Sequence, residues 1–398
     1  MRRADYIIIG GGVNGLNISR EISAQKMGSV ILLDKESELG MHQSGRSSGV
    51  KHSGINQKPG TLKAKLCVSG SQDLGDYCRE NDIPIQETGT LVVASNKKER
   101  EILRELYSDA VACGVPGVVS ELSYDEFTKI EPRAKGLEAL FSPTGAIIDA
   151  HALLRSLENQ AWGMGVEIVK GAEVTGIRET VIETTKGDFT AKHIINCAGL
   201  QADIIAHMMG VRPDLTILPF LGMYLEVPAD INSMIYSAPD RKFPFLGVHL
   251  TRTMEGKVIA GPTATLSFGG REDYERQGGL AALKEMIRTP NFLAWTARTL
   301  LSPSAVGQVY HNLRLSSSAV FLDDVNKIYD EKINPEDVRP YRAGIRAQLV
   351  SRSGKLVNDF LIEMGEYSTN LLNGVSPGLT SSMALAKYIT KHNIPRVR

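Results

Sequence analysis

Residues 6–15 read YIIIGGGVNG, and this stretch decides the fold. Its first four residues form a short apolar run, which favours a strand buried on both faces. Gly10, Gly12 and Gly15 follow with the spacing G-x-G-x-x-G. At a dinucleotide site the first glycine permits a tight turn, the second lets the backbone approach a pyrophosphate, and the third lets the next helix pack against the strand. N–H groups at the start of that helix would hold the phosphate oxygens.

The residues after the glycine turn follow the pattern of a dinucleotide-binding βαβ unit. Residues 13–26 predict a helix, and the apolar residues 30–33 predict a second strand that ends at Asp34. Asp34 follows Gly15 by 19 residues, which matches the acidic residue that accepts hydrogen bonds from a ribose hydroxyl and disfavours a 2′-phosphate. A plain βαβ unit with a tight turn is the alternative. The agreement of strand, turn, helix and acid favours binding of an adenine dinucleotide.

The composition limits the size and the partners of the molecule. With 398 residues the chain is long for a single core, which indicates two domains or one domain interrupted by another. Its 45 basic and 45 acidic side chains balance, and this argues against a nucleic-acid partner. A local basic group is interpreted as a solvated face or as help for an anionic ligand, and it consists of Lys51, Lys58, Lys63 and Lys65.

The cysteines and the apolar runs indicate the compartment. Cys67, Cys78, Cys113 and Cys197 form no CxxC pair, so metal clusters and disulfide-reductase chemistry are disfavoured and buried thiols are expected. No apolar run approaches the ~18 residues of a membrane span, and the start MRRADY leaves no room for a signal peptide before the first strand. We therefore expect a cytoplasmic protein with no metal site. Peripheral membrane contact and homo-oligomer formation stay open.

Later segments return to the first sheet and add a second one. Residues 193–199, HIINCAG, resemble another parallel strand ending in a glycine turn, and such strand ends border the ligand crevice of an open α/β sheet. Residues 216–264 predict a further sheet, residues 278–337 a helix-rich region and residues 379–392 a last helix. Apolar patches in the helix-rich region are attributed to buried domain packing. The nucleotide-binding domain is therefore expected to be discontinuous.

Four separated motifs resemble one superfamily of flavoproteins. They are GRSSGVKHSGI (residues 45–55) with KPGTLKAKLC after it, FPFLGVHLT (243–251) with GKVIAGPTA after it, AGIRAQ (343–348), and SPGLTSS (376–382). Over nearly its whole length the chain resembles the D-amino-acid oxidase and glycerol-3-phosphate dehydrogenase superfamily. Within that superfamily it is most similar to the L-2-hydroxyglutarate oxidase/dehydrogenase family. The resemblance implies FAD as the cofactor and a small 2-hydroxy acid as the substrate.

The resemblance also implies a fold class and a division into domains. The class is α/β, or α+β overall, with a discontinuous Rossmann-like FAD-binding domain and an inserted, mainly antiparallel β-sheet domain that carries helices and binds the substrate. Residues 1–84, 145–215 and 338–398 are assigned to the FAD-binding domain. Residues 85–144 and 216–337 are assigned to the substrate-binding domain.

Most of the residues implied in FAD binding fall into three groups, and Ala198 and Gly199 would pack near the cofactor. The glycine turn and Asp34 would hold the adenosine and the pyrophosphate, and the serine-rich loop before His52 would run beside the pyrophosphate and the isoalloxazine. The start of the last helix would present N–H groups to flavin N1 and the C2 carbonyl, where a helix N-terminus stabilises the negative charge of a reduced flavin. The full set is Gly10, Gly12, Gly15, Asp34, Lys35, Ser44, Arg46, Ser47, Ser48, Val174, Ala198, Gly199, Gly378, Leu379 and Thr380.

Two histidines are candidates for the proton transfer. Oxidation of a 2-hydroxy acid requires a hydride acceptor, which the resemblance places at flavin N5, and a base for the hydroxyl proton. His52 and His249 are the histidines in motif-like surroundings. His52 is favoured as base or flavin neighbour, and His249 as substrate ligand or alternative base. For each, a satisfied structural histidine is the alternative.

The substrate carboxylate requires a cation, and Arg346 in AGIRAQ is assigned to it. A planar guanidinium binds a carboxylate with two hydrogen bonds, and the small neighbouring residues would let substrate and flavin approach. The alternative is an arginine that ties the final loop to the sheet. Lys257 and Arg252 are interpreted as surface charges.

One strand departs from the family pattern. Where the family has a sequence like PFRGxYxxL, residues 219–227 read PFLGMYLEV. Leu221 and Met223 therefore stand where an arginine and an acidic residue are expected. The departure leaves family membership intact and bears on the substrate, for which L-2-hydroxyglutarate, oxidised to 2-oxoglutarate, is expected.

Several alternative functions would account for part of the sequence motifs. An amino-acid or sarcosine-type amine oxidase, or another 2-hydroxy-acid or glycerol-3-phosphate dehydrogenase, would use the same fold. An NAD(P)-linked dehydrogenase would leave SPGLTSS without a role, and a non-catalytic nucleotide-binding protein would leave the histidine and arginine motifs without one. Oxygen, a quinone or a carrier protein as electron acceptor would leave little local trace, and the same holds for a covalent link to FAD.

Overall fold

A computed structural model describes residues 1–240, 247–275, 284, 286–302, 306–307 and 317–397. Its strands are β1 (Arg2–Ile9), β2 (Val30–Leu33), β3 (Val50–Lys51), β4 (Ile85–Gln86), β5 (Thr90–Ala94), β6 (Val119–Leu122), β7 (Glu138–Ser142), β8 (Ala146–Ile148), β9 (Glu167–Val169), β10 (Val174–Arg178), β11 (Val181–Thr184), β12 (Phe189–Asn196), β13 (Leu215–Val227), β14 (Met234–Ser237), β15 (His249–Arg252), β16 (Val258–Gly261), β17 (Thr265–Leu266), β18 (Arg339–Ser351), β19 (Leu361–Met364) and β20 (Ser368–Asn373).

The helices are α1 (Val13–Ala24), α2 (Leu62–Glu80), α3 (Lys97–Ala112), α4 (Tyr124–Ile130), α5 (Ala150–Gly163), α6 (Ala202–Met208), α7 (Phe292–Leu300), α8 (Ser318–Ile328) and α9 (Gly378–His392). Short 3₁₀ turns lie at Gly199–Gln201 and Pro335–Asp337. Residues 243–246 of the motif FPFLGVHLT, and parts of the predicted helix-rich region between residues 278 and 316, lie outside the described residues.

The first sheet is built around β1. Its strand order is β10, β11, β12, β1, β2, β9, and β20 joins beside β12 with β19 next to it. β1 runs parallel to both of its neighbours, so that Ile7 lies between Ile31 of β2 and Ile194 of β12. The predicted return of residues 193–199 to this sheet is confirmed. The carboxyl ends of β1, β2, β12 and β20 therefore meet at one edge, where ligands bind in open α/β sheets.

Side chains of β1 alternate between two apolar clusters. Tyr6 and Ile8 pack with side chains of α1, α2, α5 and α9 on one face. Ile7 and Ile9 pack in a separate cluster on the other face. The prediction of a strand buried on both faces is confirmed, and its rigidity fixes the position of the glycine turn that follows.

The second sheet is larger and mainly antiparallel. Its order is β17, β13, β16, β15, β14, β5, β7, β6, with β18 paired along β13 and with β14 parallel to β5. A small third sheet contains β3, β8 and β4. The mixed α/β class is confirmed. β18 falls within residues 338–398, assigned above to the FAD-binding domain, yet it pairs in the second sheet; the division into domains stays a prediction.

Two helices test the expected packing of the apolar patches. Phe321 and Val325 of α8 are buried against the second sheet, as expected. On α7 the expectation is wrong for two leucines, because Leu293 is 64% exposed and Leu300 is 68% exposed. Within the described part of the chain, no helix is long and apolar enough to cross a membrane.

Candidate active site

A cavity of about 650 Å³ lies where the glycine turn and the start of α9 meet β13 and β18. Its volume is in the range of cofactor and small-molecule sites. The structure brings most of the residues implied in FAD binding to this one cavity, namely Gly10, Gly12, Asp34, Ser44, Arg46, Ser47, Ser48, Ala198, Gly199, Gly378, Leu379 and Thr380. His52, His249 and Arg346 line the same cavity.

The glycine turn has the geometry that its spacing predicts. Gly10 has a φ of +107°, and a Cβ there would collide with the carbonyl oxygen of Cys197. A Cβ on Gly15 would collide with the carbonyl oxygen of Gly10, so both positions require the absence of a side chain. α1 begins directly after the turn, and the N–H of Val13 donates to Ser44 Oγ at 3.0 Å. The turn presents bare backbone to the cavity, which fits the close approach of a pyrophosphate.

Asp34 lies at the carboxyl end of β2, next to the turn. Its carboxylate accepts hydrogen bonds from the backbone N–H of Gly11 at 2.6 Å and of Glu36 at 2.8 Å. Burial raises the pKa of Asp34, and the two N–H donors act in the opposite direction. These bonds hold the carboxylate in one orientation at the edge of the cavity.

A second pocket adjoins the cavity at Asp34, which lines both. Lys35 and Val174, two residues implied in FAD binding, lie in this pocket and not in the main cavity. The Lys35 ammonium lies 2.5 Å from Glu36 Oε1 and 2.8 Å from Glu272 Oε1. Its charge is therefore directed at carboxylates of the protein. The position of both residues beside Asp34 fits the adenosine end of a dinucleotide.

The first turn of α9 forms the opposite end of the cavity. Gly378, Leu379 and Thr380 line it, and the first N–H groups of a helix have no partner within the helix. Gly70 of α2 sits tightly against this turn, since a Cβ there would lie 2.6 Å from the carbonyl oxygen of Thr380. The close contact fixes the helix terminus, whose dipole favours negative charge. The residues present thus fit both the pyrophosphate and the flavin N1 side of FAD.

His249, at the start of β15, is held as a neutral ring. It is 5% exposed and stacks on Tyr236, with ring centroids 4.1 Å apart and planes inclined by 13°. Its Nδ1 lies 3.0 Å from the carbonyl oxygen of Gly247. Because a carbonyl only accepts, Nδ1 carries the proton, and Nε2 of the neutral ring is an acceptor. Burial lowers the pKa of His249 to about 4, so the ring is neutral at pH 7.

His52 follows β3 and is fixed through its backbone. Its N–H donates to Thr380 Oγ1 at 3.0 Å, which ties the motif KHSGI to the start of α9. Burial lowers the pKa of His52 to about 4. The two histidines are near enough for His52 to contribute to the lowered pKa of His249.

Arg346 lies on β18 opposite Phe220 of β13. Burial lowers the pKa of its guanidinium to about 10, and the group stays charged at pH 7. Gly222 and Gly344, which oppose each other on the same two strands, also line the cavity and leave room beside it. Lys257, by contrast, pairs with Glu226 at 2.7 Å on the surface, as expected for a surface charge.

The basic group near residue 60 is only partly a solvated face. Lys65 is exposed, but Lys51 and Lys63 are buried, so the solvated-face interpretation is wrong for these two. The Lys51 ammonium donates to Ser71 Oγ at 3.1 Å and to the carbonyl oxygen of Thr144 at 2.7 Å. Lys63 lines the cavity. Its spacing from the buried Leu66 and Cys67 on α2 is the signal that could have placed it on the inner face.

Comparison with known proteins identifies the family. The family described as FAD dependent oxidoreductase (DAO) matches residues 5–392. The chain belongs to this family. FAD is therefore its cofactor, as expected, and the expected class of enzyme is confirmed.

This FAD-dependent oxidoreductase is similar to proteins named L-2-hydroxyglutarate dehydrogenase. It is 34% identical to that of Indibacter alkaliphilus, over 98% of this chain and 98% of the relative. It is 34% identical to that of Escherichia coli (strain K12), over 97% and 92%. It is 33% identical to the mitochondrial protein of Homo sapiens, over 97% and 87%. The resemblance drawn from the four motifs is confirmed.

Solved structures share the fold of the oxidoreductase. An L-alpha-glycerophosphate oxidase from Mycoplasma pneumoniae, reduced with dithionite and with FAD bound, matches with a TM-score of 0.76 and 24% identity over 98% of this chain and 94% of that one. A glycine oxidase from Geobacillus kaustophilus matches with a TM-score of 0.70 and 18% identity over 98% and 94%. These likenesses establish the fold alone.

In β13, the strand that departs from the family pattern, Leu221 and Met223 point away from the cavity. Phe220, Gly222 and Tyr224 of β13 line it, whereas Leu221 and Met223 pack in an apolar cluster on the opposite face. This follows from the two-residue period of a strand. Leu221 and Met223 therefore do not line the cavity, and the meaning of the departure for the substrate stays a prediction. Tyr224 is a lining residue that sequence reasoning missed, and burial raises its pKa to about 12.

Proposed function

We propose that this oxidoreductase converts L-2-hydroxyglutarate to 2-oxoglutarate. The observation that carries the proposal is that Arg346, His249 and the first turn of α9 line one cavity with the glycine turn after β1. A carboxylate ligand, a proton acceptor and a positive helix terminus are the three protein groups that oxidation of a 2-hydroxy acid needs. Relatives named for this substrate match the chain over nearly its full length.

Arg346 is assigned to the C1 carboxylate of the substrate. Its guanidinium stays charged at pH 7 and is carried by a half-buried residue of a strand, and a planar guanidinium can bind a carboxylate through two parallel N–H donors. The neighbouring glycines leave space for the substrate beside it. Bound FAD supplies the hydride acceptor, and the role of Arg346 is to orient the C2 carbon of the substrate for that transfer.

His249 is assigned to the hydroxyl proton of the substrate. The sequence alone favours His52, but the hydrogen bond from Nδ1 to the Gly247 carbonyl leaves Nε2 of His249 as a lone-pair acceptor. Its lowered pKa of about 4 keeps that lone pair available at neutral pH. His52 then serves as a neutral neighbour between the substrate and the first turn of α9.

Anaerobic flavin reduction tests the proposal directly. The visible spectrum of the purified holoenzyme is recorded before and after addition of L-2-hydroxyglutarate, L-lactate, L-malate, glycerol 3-phosphate, glycine and sarcosine in separate cuvettes. Bleaching by L-2-hydroxyglutarate at the lowest concentration is the expected result. Preferential bleaching by glycine or sarcosine would make the protein an amine oxidase instead. Reoxidation of the bleached enzyme by oxygen, a quinone or an added carrier protein then identifies the electron acceptor.

A further inference from the structure

Lys63 is a second cation of the cavity that the proposed chemistry does not use. It is the second residue of α2 and is 8% exposed, yet it lines the same cavity as Arg346. Its ammonium lies 5.8 Å from the centre of the Phe360 ring. A buried ammonium is costly unless it is paired, so its presence needs an explanation.

The carboxylate that acts on the Lys63 ammonium, that of Asp359, also binds backbone N–H groups. Asp359 accepts the backbone N–H of Leu62 and of Lys63, each at 2.8 Å, and so caps the start of α2. Over the described ranges, the Lys63 ammonium forms no ion pair with a carboxylate and no hydrogen bond. The buried Lys51 differs, because a hydroxyl and a carbonyl accept from its ammonium. The unmet donors of Lys63 are thus a property of its place in the cavity.

The charges that face Lys63 come from three elements. Arg346 on β18 lowers the pKa of Lys63, and Asp359 before β19 raises it. Cys67, which also raises it, lies on the same helix as Lys63. Burial and then Arg346 lower the pKa of Lys63 to about 7, while burial raises the pKa of Cys67 to about 12, which keeps that thiol neutral. His52 and His249, which also line the cavity, are neutral at this pH. An incoming anion would therefore be the main partner of the ammonium.

Resting on the proposed function, we infer that Lys63 binds the carboxylate at the far end of the substrate and makes the site selective for dicarboxylates. Arg346 and Lys63 then provide one cation for each carboxylate of L-2-hydroxyglutarate. A monocarboxylic 2-hydroxy acid would leave the ammonium without a partner, and a site loses affinity when a buried polar group stays unpaired.

The test compares two substrates on two variants. Lys63→Met removes the charge and keeps the length of the side chain, and Lys65→Met removes an exposed lysine of the same helix as the matched control. The substrates are L-2-hydroxyglutarate and L-2-hydroxybutyrate, which lacks the far carboxylate. Lys63→Met should lower kcat/KM for the dicarboxylate by about 10- to 100-fold, mainly through KM, and change the monocarboxylate by less than about threefold. Lys65→Met should match the wild type on both.

The pH profile gives a second readout that a purely structural lysine would not move. In the wild type, kcat/KM for L-2-hydroxyglutarate should fall as pH rises above about 7, because free Lys63 loses its proton. Lys63→Arg stays charged, so it should remove this fall while retaining most of the selectivity for the dicarboxylate. If Lys63→Met does not fold, as judged by its flavin content, the arginine variant and the wild-type profile still decide the matter.

Three results would overturn the inference. Equal losses on both substrates would assign Lys63 to flavin binding or to packing, and unchanged kinetics would remove it from the site. A wild-type profile for the dicarboxylate that stays flat above pH 7 would contradict it as well. Failure of the wild type to be reduced by any hydroxy acid is a separate result, which would remove the proposed function and this inference with it.

Discussion

His249 offers the most direct test of the proposed proton transfer. His249→Asn keeps an N–H near the Nδ1 position for the Gly247 carbonyl, and His249→Gln places an amide near Nε2. Neither amide is a base. With a pKa of about 4, the native ring at pH 7 is neutral by a ratio of roughly a thousand to one. Loss of a positioned general base lowers a rate by about 10²- to 10⁴-fold, equivalent to about 3–5 kcal/mol.

Anaerobic stopped-flow reduction of the flavin by L-2-hydroxyglutarate is the appropriate assay, because it isolates the chemical step from reoxidation. Both variants should bind FAD as the wild type does and reduce it at least 100-fold more slowly. His52→Gln is the comparison, since the backbone of His52 and not its ring bonds to Thr380. A His249→Gln enzyme within fivefold of the wild type, beside a much slower His52→Gln, would transfer the role to His52. On the acid side, the reduction rate at saturating substrate should decline as pH falls through about 4, so a decline near pH 6 would also contradict the assignment.

Three further variants test other parts of the structure. Arg346→Met should lower kcat/KM by about 10- to 100-fold for mono- and dicarboxylic hydroxy acids alike, unlike the Lys63 variant, and unchanged steady-state kinetics would remove it from substrate binding. Burial lowers the pKa of His193 to about 4, so at this residue the unfolded chain binds more protons between pH 6.5 and 4. His193 alone should therefore lower the free energy of unfolding by about 2 kcal/mol from pH 7.5 to 5, and urea titrations of His193→Gln should show a fall that is smaller by this amount. Gly70→Ala pushes against Thr380 and should weaken FAD binding at least tenfold by fluorescence titration, whereas Gly163→Ala, whose Cβ meets nothing within 4 Å, should bind FAD normally.

Local patterns predicted the parts of the site that local geometry determines. The spacing of Gly10, Gly12 and Gly15 specifies a turn whatever surrounds it, and the distance to Asp34 follows from one helix and one strand. The first turn of α9 could be predicted for the same reason, because the signals that start a helix lie in a few neighbouring residues. These elements line the cavity as expected.

The features that the sequence did not predict depend on contacts between residues that are distant in the chain. The spacing of Lys63 from Leu66 and Cys67 indicates an inner helix face, but the contacts of α2 with Asp359 and Phe360 are long-range and could not be predicted from the local sequence. The two faces of β13 could not be distinguished until its pairing with β18 placed Leu221 against an apolar cluster. The exposure of Leu293 on α7 likewise depends on tertiary packing. Periodicity indicates that a helix or strand has an apolar face, but it does not indicate which other elements pack against that face.

The spread of the cavity residues from Gly10 to Thr380 has a consequence for synthesis. At about 5–20 residues per second, a ribosome needs roughly 20–70 s to pass from the first position to the last. Until residue 196 has been made β1 has only β2 beside it, and α9 follows almost at the end of that time. The full set of cavity residues therefore exists only after Thr380 has been made. Because a ligand that binds the native state stabilises it by mass action, a shortage of FAD should lower the stability of the finished polypeptide.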